Sequence, residues 1–325
     1  MKAVFLSCLA CFLLGEASSQ GVEAKLKTVE ILGQACVDLQ DWAETKQLNL
    51  AWNKKEEEVL LTNRWSRLFF KVNSRRAELN GITVWLSYAI AARNNSLYVA
   101  QADLGTLLEP VLHLAKSKTR VRINTVALDA GHGGKDPGNQ EGSRQEKHYT
   151  LLLAKEVQNR LGKAGLKSVL IRSTDKYIDL EERPALAKRQ GTDLFLSLHY
   201  NSSPAGNNPV SGVEVFCLTP TGATPTNGGD QPSKASPGNR YEAHNVLLAY
   251  QIQKAIIQNL GLSDRGVRRA GFVVLRKAEM PAVLIEAGFM SDPAEARKIY
   301  DPAHRRRMAQ AIVEGLLAYK RLGER

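Results

Sequence analysis

Two histidines and two glutamates stand where apolar runs of this sequence end or where a helical pattern begins: His132, Glu146, His199 and Glu286. Two histidines and one carboxylate are a usual ligand set for catalytic zinc, with the fourth position left to water. A second carboxylate is then needed to take a proton and return it during hydrolysis. The residue types therefore indicate a zinc hydrolase, provided that the fold brings them together.

Each of these residues also has an ordinary structural explanation. His132 could be an incidental residue of a tight glycine-rich turn. His199 could be a core histidine with satisfied hydrogen bonds, and Glu286 could pair with one of the many arginines. Glu146 could be a carboxylate stabilised by the dipole at a helix N-terminus. Taken singly, each residue fits either explanation; the occurrence of all four at the ends of elements favours a site.

The elements that must position these residues alternate between strands and helices. Apolar runs predict strands at 121–128, 168–172, 193–199, 213–218, 271–275 and 282–286, and spacings of three and four predict helices at 147–163, 179–189, 249–260 and 308–316. This alternation predicts an α/β domain over 121–325, with a mostly parallel sheet covered by helices on both faces. Strand ends in such a sheet can converge on one edge.

The loop after the first of these strands carries four glycines and one proline over residues 131–138. Glycine lets a backbone approach a ligand closely. Lys135 is followed by Asp136 rather than by Ser or Thr, so the loop is not a P-loop, and the sequence has no H-E-x-x-H motif. Asp129, at the end of the strand, is a candidate for orienting the metal ligands from behind.

The first region, residues 25–113, is predicted to be a small α+β domain, joined by a polar linker at 114–120. Apolar residues spaced by 3, 4 and 3 from Val29 to Leu39 predict a short helix, and Asn80-Gly81 predicts a hairpin with a type I′ turn. This region has no cluster of residues that could catalyse a reaction. A binding or positioning role and a purely structural role are both open for it.

The first 19 residues have the features of a secretory signal. Lys2 precedes an apolar stretch over 3–14, and small residues at 17–19 predict cleavage before Gln20. That stretch is too short to span a bilayer, and no later segment approaches 18 apolar residues. The sequence thus predicts an exported protein, in the periplasm or at the cell wall, without stable membrane insertion.

The net charge of +11 suits a polyanionic partner such as nucleic acid, anionic lipid or an acidic wall polymer. The excess is spread along the chain, and its densest tract, 305–307, is expected to be a solvated helix face. Cys36 and Cys217 are the two cysteines outside the predicted signal, and we expect both to be buried and unpaired.

Residues 122–320 resemble the zinc-dependent N-acetylmuramoyl-L-alanine amidases of bacterial cell walls. The motifs that carry the resemblance occur in order: LDAGHGGKDPG from 128, QEK from 145, IRSTD from 171, LEER from 180, DLFLSLHYN from 193, GVEV from 212, DRGV from 264, VLR from 274 and MPAVLIEAGFMS from 280. The first region is similar to the N-terminal domain of copper amine oxidases, chiefly through LNGITVWL from 79.

The resemblance implies that His132, Glu146 and His199 bind Zn²⁺ and that Glu286 is the catalytic carboxylate. It implies hydrolysis of the amide between N-acetylmuramic acid and L-alanine in peptidoglycan, for wall remodelling or division. A protein activator is a possible partner, and nucleic acid is not expected. Some members of the family plug their site with a long helix, but segment 219–239 is too rich in proline and glycine for one.

Two other functions remain open at this level. A zinc peptidase could use the same four residues to cut within the stem peptide. A wall-binding protein with a decayed site could keep the fold without turnover, although the presence of all four residues speaks against it.

Overall fold

The computed structural model describes residues 26–113, 121–204, 210–229 and 231–324. The predicted signal at 1–19 and the predicted linker at 114–120 lie outside these residues. The strands are β1 (Thr28–Ile31), β2 (Gln34–Asp38), β3 (Asn49–Lys54), β4 (Glu58–Thr62), β5 (Arg67–Lys71), β6 (Arg76–Leu79), β7 (Ile82–Trp85), β8 (Ala91–Arg93), β9 (Ser96–Ala100), β10 (Thr125–Ala130), β11 (Gln140–Glu141), β12 (Arg144–Gln145), β13 (Lys167–Leu170), β14 (Leu194–Asn201), β15 (Val213–Leu218), β16 (Asp264–Ala270) and β17 (Ala282–Phe289).

The helices are α1 (Leu39–Thr45), α2 (Gln101–Asp103), α3 (Glu109–His113), α4 (Glu146–Lys163), α5 (Glu182–Arg189), α6 (Glu242–Leu260), α7 (Val273–Arg276), α8 (Pro293–Tyr300) and α9 (Pro302–Gly323). A π-helical turn, Leu104–Leu108, joins α2 to α3, and a 3-10 turn, Pro237–Tyr241, precedes α6.

The central sheet has eleven strands in the order β13-β10-β14-β17-β15-β16-β7-β6-β5-β4-β3. In the part formed by residues 125–289, β13, β10, β14 and β17 are parallel, and β15 runs antiparallel to β17 but parallel to β16. The predicted α/β class with a mostly parallel sheet is confirmed for this part. Strand β7 of the first region pairs with β16 through Val84 and Val267, so the first region extends the same sheet.

The two faces of the sheet carry different layers. One face packs under the long helices α4, α6 and α9, with buried strand residues such as Leu128, Leu198 and Ile285. The other face carries a smaller apolar cluster, including Phe195 and Leu284, beneath α5 and α7. Successive strand residues point to opposite faces, so each strand contributes to both layers.

The helix predicted from Val29 to Leu39 is wrong, because this segment forms the β1–β2 hairpin. Leu32 and Gly33 form the turn with positive φ values of 50° and 74°, as a two-residue turn of type I′ requires. Val29 and Leu32 are 39% and 96% exposed, so the spacing that predicted a buried helical stripe was a coincidence.

The strand predicted at 271–275 is also wrong. The strand is β16, which ends at Ala270, and α7 follows it. The three arginines of β16 leave this strand without an apolar pattern in the sequence. Each of them has a partner within the fold. Arg265 and Arg268 pair with Glu214, and the buried Arg269 donates to a backbone carbonyl.

Two local predictions are confirmed. Asn80 and Gly81 turn between β6 and β7 with φ values of 49° and 79°, which fits the type I′ hairpin. Cys36 and Cys217 are both buried and free.

Among the described residues, no helix combines the length and apolar content that crossing a bilayer requires.

Candidate metal and catalytic site

Three of the four predicted site residues converge on one point. His132 lies in the loop after β10, Glu146 is the first residue of α4, and His199 lies within β14. One ligand atom from each lies within 4.8 Å of the others. His132 Nε2 is 3.0 Å from Glu146 Oε2, and His199 Nδ1 is 3.0 Å from Glu146 Oε1. The three side chains form a possible His/Glu/His metal site.

Two glycines make room for these side chains. A Cβ atom at Gly131 would lie 2.3 Å from the His199 ring. A Cβ atom at Gly138 would lie 2.6 Å from both Glu146 Oε2 and the His132 ring. Any larger residue would displace one of these three side chains, so the two glycines clear space for the possible metal ligands.

The electrostatics of the three residues suit a cation. Burial raises the pKa of Glu146, but its hydrogen bonds with the two imidazoles outweigh this and hold the pKa far below its ordinary value. Burial lowers the pKa of His132, but its bonds to Glu146 and Asp136 outweigh that and raise it. Within the described chain, the two imidazoles are the only ion-pair partners of Glu146 within 4.0 Å. Glu146 also accepts hydrogen bonds from Asn139 N, Asn139 Nδ2 and Tyr200 N. A buried carboxylate ion that faces two imidazoles and pairs with no Lys or Arg of the described residues fits a metal centre.

Asp136 is a site residue that was not predicted. Its Oδ2 atom lies 2.8 Å from His132 Nδ1, so it fixes the ring and leaves Nε2 directed at Glu146. A carboxylate on the far nitrogen of a metal-binding histidine orients the ring and raises its basicity. The spacing of four residues after His132 was the sequence signal that could have identified it.

Asp129 supports the possible metal ligands indirectly, through Arg183. It is fully buried and accepts hydrogen bonds from Arg183 Nη1 and Ser197 Oγ, both at 2.8 Å. Arg183 in turn donates to the backbone carbonyl of His132 at 2.9 Å. Asp129 therefore holds the arginine that holds the ligand loop, and the arginine was not predicted.

Arg172, which was also not predicted, ties the ligand loop to α4. It is buried and donates through Nη2 to Gly131 O at 2.8 Å and to Lys147 O at 2.7 Å. These two carbonyls flank His132 and Glu146 in sequence. One guanidinium thus sets the distance between two of the three possible ligands.

Glu286 lies on β17 directly opposite His199 on β14 and opposite Glu214 on β15. Both His199 and Glu286 lie inside their strands, rather than at the strand ends where the sequence placed them. Burial, followed by the negative charges of Glu146 and Glu214, raises the pKa of Glu286 well above its ordinary value. Its Oε2 atom is buried and has no hydrogen-bond partner.

The site opens into a cavity of about 530 Å³. The possible ligands and Glu286 line it, together with Leu180 from the segment before α5 and residues 271–274. The cavity therefore combines a possible metal site, a carboxylate of raised pKa and apolar walls, which is the usual composition of an enzyme active site.

Comparison with known proteins defines the class. The family described as N-acetylmuramoyl-L-alanine amidase matches residues 126–318, and the copper amine oxidase N-terminal domain matches residues 18–121. The chain belongs to the N-acetylmuramoyl-L-alanine amidase family. Both family resemblances inferred from the sequence are thereby confirmed.

Individual relatives agree with this assignment. The chain is 34% identical to the N-acetylmuramoyl-L-alanine amidase LytC of Bacillus subtilis, over 63% of this chain and 37% of that protein. It is 31% identical to the probable cell wall amidase LytH of Staphylococcus aureus, over 72% of this chain and 71% of that protein. An N-acetylmuramoyl-L-alanine amidase structure from Clostridium difficile 630 superposes with a TM-score of 0.51 and 32% identity, covering 61% of this chain and 97% of that one.

Proposed function

We propose that this protein is an exported, zinc-dependent amidase that hydrolyses the bond between N-acetylmuramic acid and L-alanine in peptidoglycan. The observation that carries the proposal is the convergence of His132, Glu146 and His199 beside Glu286 in one cavity. The net charge of +11 favours association with an anionic wall. Action in the periplasm or cell wall follows from the predicted signal at 1–19.

Zinc fits the donor set. Two imidazoles and one carboxylate leave a fourth position open, as in catalytic rather than structural zinc sites. When bound, the metal supplies polarisation of the scissile carbonyl and lowers the pKa of water towards 7. Asp136, Arg172 and Arg183 hold the ligands in place before the metal binds.

Glu286 has the position and the protonation behaviour of a general base and acid. It takes a proton from the water that attacks the carbonyl, and the carbon–oxygen bond forms. It then gives that proton to the nitrogen of L-alanine as the carbon–nitrogen bond breaks. A raised pKa suits both steps, because the group must accept the proton readily and hold it until the amine leaves.

The test is the release of soluble fragments from isolated sacculi by the zinc-loaded protein. We expect Glu286→Ala to lower the rate about 10³-fold, the usual contribution of a general acid–base residue. Glu279→Ala is the matched control, since Glu279 forms a surface ion pair with Lys188 and lies outside the cavity. A Glu286→Ala protein as active as wild type would contradict the mechanism.

Mass spectrometry of the digests separates the alternatives. An amidase frees intact stem peptides that begin with L-alanine, whereas a peptidase leaves L-alanine attached to the glycan. A binding protein with a decayed site would be retained on sacculi and release nothing. Only the first result supports the proposal.

Metal analysis tests the ligand set independently of activity. We expect His132→Ala/His199→Ala to lose stoichiometric zinc, because one carboxylate cannot hold the ion alone. His148→Ala is the control, since His148 is exposed on α4 only two residues from Glu146. Retention of zinc by the double variant would remove this assignment.

A further inference from the structure

The first region of the chain contacts a loop near the active site. This rim loop, residues 219–239, is described except at residue 230. Arg75, which directly precedes β6, donates through Nη2 to Thr224 O at 2.9 Å and through Nη1 to Pro225 O at 3.1 Å. Its Nε donates to Leu86 O at 2.8 Å, so the guanidinium is fixed from its own side as well.

Two further hydrogen bonds join the first region to the rim loop and to β16. Tyr88 Oη donates to Gly222 O, in the rim loop, at 2.9 Å. The fully buried Arg269 of β16 donates through Nη2 to Thr106 O, in the π-helical turn of the first region, at 2.7 Å. All these acceptors are backbone carbonyls, so the contacts fix the path of the chain.

The rim loop in turn holds the strand that leads into the cavity. Thr226 N donates to Arg269 O at 2.8 Å, and Arg269 N donates to Thr226 Oγ1 at 2.8 Å. Thr219 N donates to Ala270 O at 3.2 Å. The next four residues, 271–274, line the cavity that contains Glu286. We call them the cleft wall.

The far end of the rim loop packs on the same wall. A Cβ atom at Gly238 would lie 2.2 Å from Leu275 O, so the loop backbone rests directly on α7. Within the wall, the Phe272 ring packs edge-on against Phe216 of β15, with centroids 5.3 Å apart. The wall is thus supported by the rim loop on one side and by the sheet on the other.

We propose that Arg75 is a positioning residue for the active site: it acts through the rim loop to fix the cleft wall. The first region then forms part of the framework of the substrate cleft. The possible metal ligands lie in the loop after β10, at the start of α4 and in β14, whereas Arg75 bonds the carbonyls of Leu86, Thr224 and Pro225, so its loss affects substrate fit rather than the metal site. The kinetic part of this inference rests on the proposed amidase function.

The experiment compares Arg75→Ala with Arg76→Ala in the full-length zinc protein. Arg76 is the matched control, because its side chain is 57% exposed and its ion-pair partner within the described residues is Glu78, at 3.9 Å. Because Arg75→Ala loses the hydrogen bonds to the Thr224 and Pro225 carbonyls, we expect it to raise KM about fivefold with kcat changed less than about twofold. Zinc content stays at the wild-type level.

Hydrogen–deuterium exchange gives a readout that does not need turnover. We expect faster exchange in peptides covering 219–229 and 271–276 of Arg75→Ala, and no change in α4. Tyr88→Phe, which removes one hydroxyl, should show the same pattern more weakly and serves if Arg75→Ala does not fold. Wild-type KM and wild-type exchange of these peptides in folded Arg75→Ala would overturn the inference. An inactive wild type would instead refute the amidase function and leave the exchange result to decide the positioning role.

Discussion

The two faces of the central sheet use the same strands for opposite purposes. On β14, Leu196 and Leu198 pack under the long helices, while Ser197 and His199 between and after them belong to the site. On β17, Ile285 is core and Glu286 is the proposed acid–base. Because successive side chains of a strand point to opposite faces, one residue can serve the core while its neighbour belongs to the site.

The two faces differ in the groups that they bury and in whether those groups need hydrogen-bond partners. The face beneath α4, α6 and α9 buries mainly apolar groups, which need no partner. The other face buries charges, and nearly every one has a hydrogen-bond partner, as Asp129 has in Arg183 and Ser197. Glu286 Oε2 and Arg268 Nε are buried there without a partner, but Arg268 bonds Glu214 through Nη1, whereas Glu286 faces the cavity, and this marks Glu286 as the group left free for a reactant.

Breaking a buried ion pair on the face that carries the site should have the largest effect on stability. Asp129→Ala leaves the Arg183 guanidinium buried without its carboxylate, so we expect the free energy of unfolding to fall by about 4 kcal/mol. Zinc affinity should fall as well, because Arg183 holds the His132 carbonyl. Urea denaturation and zinc titration measure both quantities.

A double-mutant cycle supplies the control for that prediction. The loss in Asp129→Ala/Arg183→Ala should be smaller than the sum of the single losses, since the first change already breaks the pair. A loss below about 1 kcal/mol in Asp129→Ala would show that the two faces do not differ in this way.

A substitution on the face beneath α4, α6 and α9 should lower stability without changing activity. Leu198 is fully buried and adjacent to His199, but it points away from the cavity. We expect Leu198→Ala to lower the free energy of unfolding by about 3 kcal/mol through transfer and cavity terms. The kcat of the folded fraction should stay within about twofold of wild type. A large drop in kcat with unchanged stability would show that the faces are coupled.

The smallest effect should come from an exposed ion pair beside the ligand loop. Asp175 accepts from Lys147 Nζ at 2.8 Å and from Gly134 N at 2.7 Å, and these bonds, Lys147 first, hold its pKa below the ordinary value of 3.8. The folded state then binds fewer protons than the unfolded state. The stabilisation is therefore complete above pH 3.8 and is lost as the pH falls through the native pKa.

Asp175→Asn tests this sign. Because the pair is exposed, we expect a loss of only a few tenths of a kcal/mol at pH 7, shrinking towards zero in acid. Unfolding curves at several pH values measure the difference from wild type. A difference that grows as the pH falls would contradict the direction of the pKa shift.

The sequence predicted the strands of the region that carries the site because their apolar runs are long, as in residues 194–198, broken only by Ser197, and 282–285. It predicted the four polar residues because three of them end or follow such a run and Glu146 precedes a helical pattern. It did not predict β16, since Arg265, Arg268 and Arg269 give no apolar pattern until their partners are known.

The supporting residues of the site were harder to predict than the ligands. Arg172 and Arg183 lie 30 residues or more beyond the loop that they hold. Only the fold brings them to the carbonyls of residues 131 and 132. The predicted helix at Val29–Leu39 failed for a related reason, because exposure of Val29 and Leu32 depends on a hairpin that spacing alone does not specify.

The pairing of β7 with β16 has a consequence for how the chain folds. Because one sheet and one core run through both regions, we expect them to melt together in a single cooperative transition. A fragment starting at residue 121 would leave the outer edge of β16 without its neighbour, and unpaired edges invite association between molecules. The first region thus also covers an edge of β16 that would otherwise be open.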